Sequence, residues 1–128
     1  MIVKGSLHSF LFEVARVSKT SGPHFSVRSS YGGYVIEHHG GRWRAVADVS
    51  FSAIIVETDD GQLLRLDGDV MTLNGAQVDQ ICATGYRCFD VQEIRLRVAL
   101  SVLAWWALEG EGVEAVAKAA TAVMGEPP

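Results

Sequence analysis

A stripe of apolar residues at helical spacing lies near the start of the chain. Its members recur at i, i+3, i+4, i+7 and i+8, the pattern of one buried helix face: Leu7, Phe10, Leu11, Val14 and Ala15. Ser6 is placed to cap this helix, and Gly22-Pro23 closes the segment. A strand over the same residues would mix polar and apolar side chains on its faces, so residues 6–19 are predicted to be helical.

Between Phe25 and about Leu73 the pattern changes to that of β-structure. Aromatic and β-branched residues dominate, and turn dipeptides divide them: Gly32-Gly33, Gly40-Gly41, Asp60-Gly61 and Asp67-Gly68. Such dipeptides supply the positive φ angles of tight hairpins, which predicts an antiparallel meander of about five strands. The strand Phe51–Thr58 is apolar on both faces, which predicts a central strand covered on both sides.

The Gly40-Gly41 turn predicts a specific register for its hairpin. A two-residue loop places His38 opposite Trp43, and Glu37 opposite Arg44 as a cross-strand ion pair. One face is then a core face: Tyr34, Ile36, His38, Trp43, Ala45 and Ala47. The other is a solvated face: Val35, Glu37, His39, Arg42, Arg44 and Val46. A one-residue slip would bury Arg44 and expose Trp43, which favours this register.

Beyond Leu73 the pattern predicts helices. Asn74 is a candidate cap for a short helix over Gly75–Ala83, ended by Gly85. Asp90 and Glu93 resemble the ends of a capping box, so a longer helix is predicted from Asp90 to Gly110. Glu93 and Arg97 are spaced to form an ion pair on its exposed side. A last amphipathic helix is predicted over Val113–Met124.

These elements predict an α+β fold in one domain over residues 1–128. It comprises an N-terminal helix, the antiparallel meander, and C-terminal helices packed on one face of the sheet. The chain of 128 residues is long enough to bury a core without metal or disulfide bonds. A hydrophobic fraction of 48% and a charged fraction of 20% exclude intrinsic disorder.

Charge and cysteine content narrow the function classes. The net charge of −4 makes nonspecific DNA binding less favoured. Cys82 and Cys88 lack the spacing of a zinc site and are expected to be two partly buried thiols in a reducing compartment. No signal peptide is predicted, and the apolar run Val98–Leu108 is too short to span a bilayer. A soluble, cytoplasmic protein without a membrane partner is therefore expected.

Sequence motifs for common catalytic chemistry are absent from the chain. It contains no Walker A loop, dinucleotide-binding glycine pattern, serine elbow or zinc-protease motif. We therefore predict no catalytic residue, no metal ligand and no cofactor, and an enzyme is disfavoured. The paired acidic turns that contain Asp59, Asp60, Asp67 and Asp69 are expected to be solvated turns rather than a cation site.

The most unusual stretch is Tyr31–Arg44, and three functions compete for it. Its aromatic and arginine side chains are the types enriched at interface anchors, which predicts a partner-binding surface. The predicted site residues are Tyr31, Glu37, His39, Arg42 and Arg44, joined by Trp106 if that ring is exposed. The first alternative is a nucleic-acid site formed by His39, Arg42 and Arg44. The second is a small enzyme that uses Glu37, His38 and His39.

The leading hypothesis is a noncatalytic protein-binding module. Such a chain would be a small accessory or inhibitor protein, of phage or mobile-element type, that occupies another protein's surface. A homodimer is an open alternative, because Trp105 and Trp106 point about 100° apart on a helix and both cannot enter one narrow seam. The sequence does not specify the partner protein.

Overall fold

The computed structural model describes residues 1–16 and 24–108, with side chains up to Trp105. Its helices are α1 (Gly5–Ala15) and α2 (Val91–Leu108). Its strands are β1 (Ile2–Val3), β2 (Phe25–Ser30), β3 (Gly33–His38), β4 (Trp43–Asp48), β5 (Ala53–Thr58), β6 (Leu63–Asp67), β7 (Val70–Leu73), β8 (Ala76–Gln77), β9 (Gln80–Ala83) and β10 (Cys88–Asp90). The predicted α+β class and the N-terminal helix are confirmed.

The strands form two sheets. β2 to β8 pair in chain order as a seven-stranded antiparallel meander. β9 lies between β1 and β10 in a second, three-stranded sheet, where β1 runs parallel to β9. The meander is thus two strands longer than predicted, and the small sheet ties the N-terminus of the chain to the segment before α2.

One face of the meander, which we call the inner face, carries the core. Its buried side chains are Phe25, Val27, Ile36, Trp43, Ala45, Ala47, Ile54, Val56, Leu64, Leu66, Met71 and Leu73. They share one cluster with the buried faces of both helices, represented by Leu7 and Phe10 in α1 and Ile94 and Val98 in α2. Each large buried side chain contributes roughly 1.5–3 kcal/mol. This helix packing against one face agrees with the predicted arrangement.

The predicted hairpin register is confirmed. Ile36 is paired with Ala45 and Glu37 with Arg44, because only this alternation buries Trp43 while Arg44 stays in water. β5 is the fourth of seven strands, which confirms its central position. The expectation that β5 is covered on both sides is wrong for the described residues, since Ala53 is exposed.

The short helix predicted over Gly75–Ala83 is wrong, because this segment forms strands β8 and β9. Asn74 and Gly75 have φ angles of 52° and 87°. Two successive positive φ angles define the type I′ hairpin turn that Asn-Gly favours. The side-chain Oδ1 of Asn74 accepts a hydrogen bond at 2.8 Å from the N–H of Leu63 in β6 instead of capping a helix.

The start of α2 follows the prediction. The N–H of Glu93 donates to Oδ1 of Asp90 at 2.8 Å, which is the N-cap bond expected of Asp90. The Glu93 carboxylate accepts from Nε of Arg97 at 3.1 Å, as expected, and also from Arg87 in the segment before β10 at 2.6 Å. The predicted helix over Val113–Met124 and the predicted stop at Gly110 lie outside the described residues.

At the start of α1, Ser6 is not the cap that the sequence predicts, because it is hydrogen-bonded to an acidic turn. The Ser6 hydroxyl donates to Asp59 rather than capping its own helix, and the Ser6 N–H donates to Oδ2 of Asp60 at 3.3 Å. A hydrogen bond from the Thr58 hydroxyl is the main cause that lowers the pKa of Asp60. A side chain at Gly5 would place its Cβ 2.5 Å from this carboxylate. The Asp59–Asp60 turn is therefore a structural contact to α1 as well as a turn.

The two cysteines form a disulfide bond, so the expectation of two free thiols is wrong. Cys82 in β9 and Cys88 in β10 are directly opposed in the antiparallel pair. The predicted helix over Gly75–Ala83 is incompatible with this position on neighbouring strands. The bond closes the tight loop at Thr84–Arg87, and the cytoplasmic location loses the support that free thiols would have lent it.

Candidate interaction surface

The candidate site lies on the meander face opposite the helices, which we call the outer face. An apolar row crosses three neighbouring strands, where Val35 pairs with Val46 and Val46 with Ile55. Arg28 and Arg65 lie at the two ends of this row. Val46 is 38% exposed and Ile55 is partly exposed. The row thus presents aliphatic surface between two guanidinium groups.

Val35 shows how the outer face is shielded. It is only 3% exposed, yet it is not part of the core cluster beneath the sheet. Its neighbours across the sheet are Arg28 and Val46, and long side chains such as arginine cover apolar surface with their stems. The outer face therefore has a small dry centre of its own, formed around Val35.

A charged row runs beside the apolar row. Glu37, Arg44 and Glu57 are directly opposed on β3, β4 and β5, so charge alternates in sign across the strands. The predicted Glu37–Arg44 ion pair is replaced by a bond from Nε of Arg28 to Glu37 at 3.3 Å. Because both partners are about half exposed, this ion pair contributes at most about 1 kcal/mol. Among the described residues, Arg44 makes no ion pair, and it is exposed.

The other predicted site residues divide between the two ends of this surface. His39 and Arg42 are exposed in the β3–β4 turn, beside the charged row. Tyr31 is fully exposed in the β2–β3 turn, at the far end of β3. A six-residue strand at about 3.3 Å per residue separates Tyr31 from that turn by roughly 17 Å or more. The Trp106 side chain lies outside the described part of the molecule, while Trp105 packs partly buried against the core.

His38 does not join the candidate site. Its side chain lies on the inner face, stacked on Trp43, while Glu37 lies on the outer face. Its Nδ1 is 3.4 Å from the N–H of Arg42, which donates to it. Desolvation is the largest influence on the pKa of His38 and lowers it. Arg42, His39 and His24 lower that pKa further against the opposing effect of Glu13. Glu37, His38 and His39 therefore do not converge as an acid–base group would require.

The charge pattern also bears on the nucleic-acid alternative. A phosphate chain that follows a basic site needs neighbouring cations. On the outer face, Arg44 lies between the carboxylates of Glu37 and Glu57, and Arg28 is already paired with Glu37. This alternation suits a surface with charges of both signs better than it suits a polyanion.

Sequence analysis missed four members of this surface: Arg28, Ile55, Glu57 and Arg65. These four residues lie on β2, β5 and β6, and their face follows only when the β3–β4 register is extended to those strands. Ile55 and Glu57 share the face of Val46 and Arg44 because they pair with them in the β4–β5 register. Arg28 joins this face through its pairing with Val35, and Arg65 through its pairing with Ile55.

Within residues 1–16 and 24–108, no three histidine, cysteine or acidic side chains are arranged to hold a metal ion. Neither described helix has the length and apolar character needed to cross a membrane. Comparison with protein-family models, with curated proteins and with solved structures finds no match to this chain.

Proposed function

We propose that the chain is a noncatalytic protein-binding module that occupies the surface of another protein through its outer face. The observation that carries this proposal is the apolar row around the buried Val35, in which Val46 is exposed and Ile55 partly exposed between exposed charges. An apolar centre with a polar rim is the usual composition of a protein–protein interface.

The charges beside the apolar row favour binding to a specific partner over nonspecific hydrophobic association. Arg28, Arg44 and Arg65 alternate with Glu37 and Glu57 across the strands. A partner must present charges of the opposite sign in the same order, because facing like charges cost free energy. Arginine also supplies planar, bidentate contacts to carboxylates, which makes Arg44 the strongest candidate anchor.

The rigidity of the sheet lowers the free-energy cost of binding. The outer-face residues lie on β3, β4 and β5, each paired on both sides by a neighbouring strand. The backbone of a paired strand is already ordered, so a partner does not have to order a loop. His39 and Arg42 in the β3–β4 turn extend this surface at one end and add adaptable polar contacts.

The finer role we propose is that of a small accessory or inhibitor protein. Such a protein acts by covering a functional surface of its partner and needs no active site of its own. This role matches the absence of catalytic motifs in the sequence and does not require the cytoplasmic location that sequence analysis expects.

Identification of the partner by affinity purification tests the proposal. Tagged wild-type protein, Val46→Lys and Val49→Lys are purified from the native cell, and the retained proteins are identified by mass spectrometry. Val49 is the matched control, because it is also an exposed valine, at 63%, but it lies in the β4–β5 connection and outside the outer face. A protein retained by wild type and Val49→Lys but lost by Val46→Lys is the expected result. A partner set that is the same for all three proteins would refute the outer face as the site.

A further inference from the structure

The two edges of the meander differ in length. The edge at β8 is only two residues long, Ala76–Gln77, and short edge strands are poor templates for further pairing. The edge at β2 spans six residues, Phe25–Ser30, with Arg28 as its one charged residue. No strand within the described residues pairs with the outward side of β2.

The hydrogen-bond register identifies which backbone groups β2 leaves free. The N–H of His39 donates to the carbonyl of His24 at 2.9 Å, which marks these directly opposed residues as a hydrogen-bonded pair. Pairing alternates along antiparallel strands, so Ser26, Arg28 and Ser30 also bond to β3. The N–H and C=O groups of Phe25, Val27 and Ser29 therefore point away from the sheet.

We propose that β2 pairs with β2 of a second copy of this chain, in an antiparallel dimer whose two-fold axis passes Val27. In this register Val27 faces Val27 of the second copy, and Phe25 faces Ser29. All three outward N–H groups of each chain then donate to outward carbonyls of the other. The two meanders become one continuous sheet.

The side chains of β2 favour this register over its neighbours. Arg28, the only charge on the strand, faces the uncharged Ser26 of the second copy and keeps its own Glu37 as ion-pair partner. A two-fold axis at Arg28 would oppose two guanidinium groups and would leave Phe25 without a partner on β2 of the second copy. On the inner face, the buried side chains of Phe25 and Val27 would meet those of the second copy and join the two cores.

The dimer is independent of the proposed function, because it uses the edge of the sheet and not its outer face. It leaves Val46 and Arg44 of both copies open on the same side of the continuous sheet. Either proposal can therefore be refuted without affecting the other. Val46→Lys is a control that should leave the dimer unchanged.

A proline at Ser29 is the most selective test. Ser29 is exposed, and its N–H points outward, so Ser29→Pro removes an intermolecular donor without breaking the β2–β3 ladder. Ser29→Ala keeps the N–H and is the matched control. Analytical ultracentrifugation over a wide concentration series should show a dimer for wild type and Ser29→Ala. For Ser29→Pro the dissociation constant should rise by about tenfold or more, with the circular dichroism spectrum unchanged.

Amide hydrogen exchange gives a second, residue-specific readout. In the dimer the amides of Val27 and Ser29 should exchange as slowly as those of Ser26 and Arg28. A monomer would show alternation along β2, with Val27 and Ser29 fast and their neighbours slow. A wild-type protein that stays monomeric with this alternation, or a dimer that survives in Ser29→Pro, would overturn the proposal.

Discussion

The imidazole of His38 lies over the indole of Trp43, with ring centroids 5.5 Å apart and an interplanar angle of 25°. Phe10 of α1 meets the same indole edge-on at 5.1 Å. His38 thus links the rim of the hairpin to the core, and its Nδ1 must be unprotonated to accept the hydrogen bond from the N–H of Arg42.

Because the folded state lowers the pKa of His38, we predict that acid weakens the fold through this residue. Well above pH 6.5, near pH 8, the ring is neutral in both states, so His38 causes no change of stability with pH there. As the pH falls below 6.5, the unfolded chain takes up the proton first, and the free energy of unfolding decreases until the folded-state pKa is passed. Urea unfolding between pH 5 and 8 measures this slope.

The matched variants for this prediction are His38→Gln and His39→Gln. The first should flatten the slope between pH 6.5 and 5, because the titrating group near Trp43 is gone. The second should change the slope only slightly, because His39 is one of the smaller influences that lower the pKa of His38. If the free energy of unfolding had the same slope against pH in wild type and His38→Gln, burial of His38 against Trp43 would not be the cause of the pH dependence.

Asp48 is predicted to hold the β4–β5 connection. Its carboxylate accepts hydrogen bonds from the hydroxyls of Ser50 and Ser52, at 3.1 and 2.8 Å, and from the N–H of Ala53 at 3.2 Å. Desolvation is the largest single influence and would raise the pKa of Asp48, but the hydrogen bonds together outweigh it and lower the pKa.

Asp48→Ala should therefore destabilise the fold by about 1–3 kcal/mol at neutral pH. The stabilisation from Asp48 is present above its ordinary pKa of 3.8 and is lost as the pH falls through its lower folded-state value. Asp67→Ala, an exposed position at the end of β6, should cost less. Equal midpoints of urea unfolding for the two variants at pH 7 would contradict the role of Asp48.

The Cys82–Cys88 disulfide is predicted to stabilise the small sheet. Closing a loop of this length removes unfolded-state entropy worth roughly 2 kcal/mol. Mass spectrometry after alkylation without reductant should show no modified cysteine, and dithiothreitol should lower the thermal midpoint. The double variant Cys82→Ala/Cys88→Ala should have the thermal midpoint of the reduced protein, and dithiothreitol should not change it. Two alkylated thiols in the untreated protein would contradict the bond.

Sequence analysis succeeded where burial and turn chemistry pointed the same way. Trp43 and Arg44 could exchange faces only at great cost, so the hairpin register was predictable from alternation alone. Asp90 was identifiable as a cap because the helix that follows it is strongly apolar. These features depend on short stretches of chain.

The errors came from long-range structure. Asn74-Gly75 is compatible with either a helix cap or a type I′ turn. Which of the two forms depends on β6, where the N–H of Leu63 donates to the side chain of Asn74. A helix over Gly75–Ala83 would not place Cys82 on a strand, so the pairing of Cys82 with Cys88 depends on the same choice. The same applies to the outer face, since Ile55 and Glu57 join it only through pairing with β4.

The central claim is that the outer face of the meander is the binding surface, and one affinity comparison tests it most directly. Isothermal titration calorimetry of the purified partner is performed against wild type, Val46→Lys and Val49→Lys, each with its thermal midpoint measured. We expect Val46→Lys to raise Kd by about tenfold or more, while Val49→Lys binds like wild type and all three proteins have similar thermal midpoints. Wild-type affinity in Val46→Lys would contradict the claim.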